Sequence, residues 1–236
     1  MWGLQGDIHR LSEWAKEAAL PINIAMSSNT INLVVIGDGA VGKTCLIESY
    51  INNPFPTMYV PTVFEKYTGS LTVNGQNLSL KIWDTAGQSD HEHIRGLTYS
   101  GVDAVILCYS VVHETSYENI RCKWSEELLK HLPGIPVVLV GTKIDLRERI
   151  IPGFTRAITY DQGSRLAKRI DATAYVECSA LCQINIKEVF DKAIKAVLEK
   201  RSESKSPKKH ESRKRSDKSR SRSKTGRKRS EVRTIM

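Results

Sequence analysis

Gly37-Asp38-Gly39-Ala40-Val41-Gly42-Lys43-Thr44 is the stretch that decides the fold. It fits G-x-x-x-x-G-K-[ST] and directly follows the apolar run Ile31–Ile36, which reads as a strand. Glycines at this spacing let backbone N–H groups turn inward around phosphate oxygens, and the helix expected next adds the positive end of its dipole. Lys43 can reach the outer phosphates, and the Thr44 hydroxyl can ligate Mg²⁺. Strand, glycine loop and helix in that order predict a P-loop NTPase of the α/β class. Its sheet is expected to be mainly parallel and six-stranded, with one antiparallel edge strand and helices on both faces.

Further along the chain the same alternation repeats. Glu65–Val73 and Leu78–Trp83 flank Asn74-Gly75, a strong hairpin signal, and supply the antiparallel pair. Ala104–Tyr109 and Ile135–Val140 are nearly continuous apolar runs, as suits strands covered on both faces. Helices are predicted over 115–131 and 186–199, the second from Ile186, Val189, Phe190, Ile194 and Val197 at helical spacing. Residues 31–200 therefore read as one domain. Residues 1–30 read as an N-terminal extension in which Asp7 caps a short helix carrying Ile8, Leu11, Ala15 and Ala18, with Pro21 ending it. That helix reads equally as a loose element or a docking one, and Met26 is an alternative start.

Charge separates the domain from its C-terminal tail. From Lys200 to Met236 there are 16 Lys/Arg against 4 Asp/Glu, a net of +12, leaving −3 for residues 1–199. The body is thus no general polyanion binder, and attraction to acidic lipid belongs to the tail. Residues 201–236 have too little apolar surface to offset their ordering entropy and are expected to be disordered. No 18-residue apolar run and no secretory leader pattern is visible. Cys45, Cys108, Cys122, Cys178 and Cys182 form no C-x-x-C pair and read as free thiols of a reducing compartment.

A phosphate loop alone fits kinases, ATPases and GTPases. Thr142-Lys143-Ile144-Asp145, after the fifth strand, narrows the choice. A carboxylate at Asp145 accepts two hydrogen bonds from guanine N1–H and its exocyclic amino group, whereas adenine has no matching donor pair. The Lys143 stem can lie along the base plane. In Trp83-Asp84-Thr85-Ala86-Gly87-Gln88, Asp84 can hold Mg²⁺ through water. The Gly87 N–H can meet a gamma-phosphate oxygen, and Gln88 can orient the attacking water. Thr62, in Tyr59-Val60-Pro61-Thr62-Val63-Phe64, can complete the metal shell when the gamma phosphate is present.

Residues 31–199 resemble a Ras-superfamily G domain throughout. GDGAVGKTC, YVPTVFE, WDTAGQ, GTKIDLR and ECSAL together are similar to the Rho family, nearest its Rac and plant-Rho branches. The resemblance implies nucleotide contacts from Gly37, Asp38, Gly39, Ala40, Val41, Gly42, Lys43, Thr44 and Cys45. It adds Asp84, Thr85, Ala86 and Gly87, then Thr142, Lys143, Asp145, Ser179, Ala180 and Leu181. It implies that Phe55 packs edge-on against guanine, and that 53–65 and 85–97 are switch segments. Catalysis falls to Gln88, Lys43 and Thr62, and the metal to Thr44 and Thr62. GTP or GDP with Mg²⁺ is then the ligand, and slow hydrolysis the reaction. A partner's arginine adds about 10³–10⁵-fold, a magnitude borrowed from Ras itself. A side chain at Gly39 is expected to crowd Gln88 and such an arginine. Partners implied are GTPase-activating proteins, exchange factors and effectors such as kinases or actin regulators. The process implied is control of actin and cell polarity by a monomeric protein.

The chain departs from that pattern in places. Ser89 stands where the family carries an acid that assists exchange factors, His91 where a tyrosine is usual and Gly96 where a proline is usual. His91-Glu92-His93 reads as solvated switch residues rather than a metal pair. Arg233 occupies the cysteine position of a C-terminal prenylation motif, so no lipid anchor is expected in the tail. Location is expected to be cytoplasmic, with weak, salt-sensitive association at the inner face of the plasma membrane. The same basic runs can serve as nuclear import signals, which adds a nuclear pool to the expectation. A metabolic P-loop kinase and a nucleic-acid-binding module are the rival functions. The first needs neither Asp145 nor the WDTAGQ segment, and the second lacks aromatics in the tail for base stacking, so no specific nucleic acid is expected.

Overall fold

A computed structural model describes residues 29–52, 55, 62, 64–73, 76–87, 95–96, 98–149 and 156–205. Six strands form one sheet in the order β2-β3-β1-β4-β5-β6. They are β1 (Thr30–Gly37), β2 (Phe64–Val73), β3 (Gln76–Thr85), β4 (Ala104–Ser110), β5 (Val137–Thr142) and β6 (Ala174–Glu177). All neighbouring pairs are parallel except β2 and β3, which run antiparallel with Val73 opposite Gln76. The two residues between them, Asn74 and Gly75, lie outside the described set, but the register is that of the predicted two-residue hairpin.

Alternation along each strand sends side chains to two cores. Ile31, Leu33 and Val35 of β1, with Ile106 and Cys108 of β4, meet helices α1 (Lys43–Asn52) and α5 (Ile186–Lys205). Val34, Ile36, Val105 and Leu107 face the other way, against Ile120, Trp124, Leu128 and Leu166. Those belong to a π-helical turn (Ile120–Trp124) that continues α2 (Glu114–Asn119), to α3 (Ser125–His131) and to α4 (Tyr160–Arg169). Both faces are covered, which is why β4 and β5 read as nearly continuous apolar runs and β1 is interrupted only at Asn32 between Ile31 and Ile36. Val189, Phe190 and Val197 of α5 are at most 2% exposed, each side chain contributing about 1.5–3 kcal/mol by burial. All five cysteines are free thiols. Among the described residues no helix is long and apolar enough to cross a membrane.

Three boundaries differ from expectation. The fifth strand begins at Val137 rather than Ile135, because Pro136 has no N–H to give a ladder; its carbonyl instead accepts from Val105 N–H at 2.9 Å. The helix expected over 115–131 is broken by the π-helical turn. The last helix runs to Lys205 rather than 199, so the first residues of the expected disordered tail are helical. Arg201 holds that end down, donating to Thr30 O at 2.7 Å and Asp103 Oδ1 at 2.8 Å. The expected helix in the N-terminal extension, and the tail beyond Lys205, lie outside the described residues.

Candidate nucleotide site

The sheet reverses its order at β1: β3 lies on one side and β4 on the other. The carboxyl end of β1 is therefore a crevice, and the glycine loop occupies it. Gly37 takes φ +139°, and a Cβ built there would fall 2.1 Å from Cys108 O of β4, so only glycine lets β1 leave the sheet this close to its neighbour. Lys43 opens α1 and folds back into the loop, donating to Gly37 O at 2.9 Å and Asp38 O at 2.7 Å. It is 6% exposed, and burial lowers its pKa, partly offset by the charge of Asp84. A buried ammonium that donates to carbonyls at the mouth of a loop is suited to an incoming polyanion.

Beside it three oxygens from distant positions converge. The Thr44 hydroxyl donates to Asp84 Oδ2 at 2.6 Å and lies 2.8 Å from the Thr62 hydroxyl. Asp84, next to last in β3, is fully buried, and its Oδ1 has no hydrogen-bond partner among the described residues. Burial pushes its carboxyl up to about 6, against the opposing pull of the Thr44 hydrogen bond and Lys43. Two hydroxyls and a carboxylate with an unsatisfied oxygen are the hard donor set that Mg²⁺ takes when phosphate and water fill its remaining positions. The Thr85 hydroxyl donates to Val35 O at 2.9 Å, binding β3 to β1 just below. Ala86 is buried, and Gly87 lies directly on the loop: a Cβ there would fall 2.2 Å from Asp38 C and Gly39 N.

The other end of the crevice is built from the β5 and β6 termini. Thr142 Oγ1 donates to Val41 O at 2.5 Å and sits 2.9 Å from Tyr109 O, tying β5 to the glycine loop. Lys143, in the left-handed region at φ 62°, reaches Ala40 O at 2.7 Å. Ala40 also has positive φ, 59°. Asp145 accepts from Ser179 Oγ at 2.6 Å, and Ser179 Oγ in turn accepts from Cys182 N–H at 3.0 Å. This brings Ala180 and the exposed Leu181 alongside Asp145. Arg147 grips Glu177 with both terminal nitrogens, at 2.8 and 2.7 Å, and so links the two base-side loops.

The structure thus gathers Gly37 to Thr44, Thr62, Asp84 to Gly87, Thr142, Lys143, Asp145 and Ser179 at one end of the sheet. Cys45 follows in α1, half-buried, and Phe55 stands exposed. Gln88 and the run His91-Glu92-His93 lie outside the described residues, as does Ser89. No described residue comes within 4 Å of a Cβ built on Gly39, so its expected crowding partner, Gln88, is not in view. Sequence reasoning missed the supports behind the site: Arg147 with Glu177, Arg95 with Glu127, and Asn119 with Trp124. Each joins residues at least 30 positions apart or depends on the π-helical turn, so no local pattern announces it. Residues 32–199 match the family model described as the Ras family.

Proposed function

The chain belongs to the Ras family, and from that premise we propose that it is a Rho-type switch whose nucleotide is held by the residues gathered in the crevice. As a member of the family it is a small GTP-binding switch and a GTPase, the family's ligand being guanine nucleotide with Mg²⁺. The observation that carries the residue roles is the convergence of Thr44, Thr62 and Asp84 beside the buried Lys43. Lys43 exchanges its bonds to Gly37 O and Asp38 O for phosphate oxygens. Thr44 and Thr62 would hold the metal directly, and Asp84 would do so through water. When bound, the metal neutralises charge developing between the outer phosphates.

Asp145 reads the guanine donors, Lys143 and Phe55 flank the base, and the Ser179–Leu181 loop presents a backbone N–H to its carbonyl. Gln88 orients water in line with the gamma phosphorus. As the new P–O bond forms, the bond to the leaving diphosphate oxygen breaks and the water proton passes to phosphate. Loss of the gamma phosphate releases Thr62 and Gly87, which is the change a partner reads. The Rho assignment is supported by YVPTVFE, WDTAGQ and Thr142 in the base-reading motif. Activating proteins, exchange factors and effectors are the partners general to the family; effectors acting on actin and polarity are the Rho-type part of the proposal. The net +12 of residues 200–236 supports reversible attraction to anionic lipid from a cytoplasmic pool. Single-turnover hydrolysis with a Rho-type and a Ras-type activating protein tests the assignment. Acceleration by the first alone is expected; acceleration by the second alone refutes it.

A further inference from the structure

Asp38 lies in the phosphate loop, yet its carboxylate turns away from the space the phosphates would fill. Oδ1 accepts from Trp124 Nε1 at 2.8 Å, and Oδ2 accepts from Asn119 Nδ2 at 2.7 Å. Both donors sit more than 80 residues further along, on the helix that crosses behind the loop. Trp124 is completely buried, so its N–H has no water to fall back on.

The π-helical turn makes this grip attainable. In a regular α-helix, residues five apart stand about 140° apart around the axis. Asn119 and Trp124 would then point to different sides, and only one could meet Asp38. In the structure the turn Ile120–Trp124 is widened, with Ser125 N–H donating to Ile120 O, five residues back. Bonding from i to i+5 brings residues of that spacing to nearly the same side. A widened turn breaks the regular ladder, and here it coincides with the two donors that share one carboxylate.

The same tryptophan also meets the second phosphate-facing element. The Arg95 guanidinium lies 4.8 Å from the Trp124 ring centroid and donates to Ala86 O at 3.1 Å. Glu127, one helical turn beyond Trp124, holds Arg95 through both carboxylate oxygens, at 3.0 and 3.1 Å. The Ala86-Gly87 turn and the Asp38-Gly39 peptide touch at the Gly87 Cα, as the 2.2 Å clash of a built Cβ shows. Trp124 therefore stands behind both: its N–H holds the glycine loop, and its ring backs the arginine that holds the turn.

We infer that Asn119 and Trp124 are positioning residues for the phosphate end of the site, acting through Asp38 to set the glycine loop against the Ala86-Gly87 turn. This rests on the proposed nucleotide site. The carboxylate fixes the Gly37–Gly39 backbone from behind, while Lys43 is left to trade the Gly37 and Asp38 carbonyls for phosphate. Without the grip the loop keeps its sequence and its lysine but samples more arrangements. Bound nucleotide is then released faster, and the hydrolytic geometry is formed less often.

Release of a fluorescent GDP analogue in the presence of Mg²⁺, followed by stopped flow on the full chain, tests this. Asn119→Asp sets two carboxylates against each other and is expected to speed release roughly 10-fold or more, the scale of a lost hydrogen bond to a charged group. Trp124→Phe keeps the ring and removes only the N–H, and is expected to act in the same direction. Adding Asp38→Asn to Asn119→Asp restores a donor facing a carboxylate and leaves an amide oxygen for Trp124 Nε1. That double variant should return to within about threefold of the parent rate. Recovery by the second substitution separates positioning from general damage to the fold, since damage would accumulate. If Asn119→Asp and Trp124→Phe release at the parent rate, or if the double variant is no slower than Asn119→Asp alone, the inference is overturned. A parent chain that binds no guanine nucleotide in the same assay would instead overturn the proposed function, and the inference with it.

Discussion

The two ends of the crevice are built on different physical terms. At the phosphate end, charged groups are buried and incompletely compensated: among the described residues the Lys43 ammonium donates to two carbonyls, and Asp84 Oδ1 has no hydrogen-bond partner. At the base end, Asp145 already has Ser179, and Arg147 already grips Glu177 through both terminal nitrogens, only its Nε being without a partner among the described residues. Buried charge that is incompletely compensated favours a ligand strongly and with little discrimination; largely satisfied groups favour one ligand over a near relative. Affinity should therefore reside with the phosphates and selectivity with the base.

Lys43→Ala should produce the largest effect. Binding of GDP and GTP is expected to weaken on the order of 10²–10³-fold, because charged hydrogen bonds in a desolvated pocket are lost. Titration with a fluorescent analogue measures it, and equal binding by the variant would break the division between the two ends. Asp145→Asn should weaken GTP by on the order of 10²-fold while favouring the xanthosine nucleotide, whose carbonyl can accept from an amide. If GTP stays preferred, the base is read elsewhere.

Smaller effects sharpen the picture. In single-turnover assays Gln88→Leu and Gly39→Val should each retain GTP about tenfold longer than the parent with binding little altered, since both act on water placement rather than charge. Unchanged turnover in both would remove Gln88 from the mechanism. Arg147→Ala should lower the melting temperature of the nucleotide-free chain by a few degrees, the scale of about 1 kcal/mol. Arg147 is 30% exposed, so solvent screens much of its attraction to Glu177. A loss several times larger would mean the base end is as tightly built as the phosphate end.

Legibility in the sequence divides along the same line. The glycine loop, Asp84 and the apolar runs of β1 and β4 announce themselves because local chemistry and full burial leave few residue choices. Thr142, Lys143 and Asp145 were legible from their place after a strand. The short β6 gives no such signal: two of its four residues are only half-buried, so alternation is weak. The helix Tyr160–Arg169 is likewise absent from the sequence expectation, although Thr159 and Gln162 form a capping box at its start. The buried pair Arg95 and Glu127 spans 32 positions, and nothing local to either residue marks it as structural. The π-helical turn is invisible to any fixed helical period, and the residue that its Asn119 and Trp124 meet, Asp38, lies more than 80 residues earlier.

The most direct test of the guanine-nucleotide site is competition between GTP and ATP for the purified full chain in Mg²⁺, with the metal then removed by chelation. Displacement of bound fluorescent GDP by GTP at concentrations at least 10³-fold below those needed with ATP, and faster release on chelation, is the expected result. Equal displacement by ATP, or release indifferent to Mg²⁺, would contradict the assignment of Asp145 to the base and of Thr44, Thr62 and Asp84 to the metal.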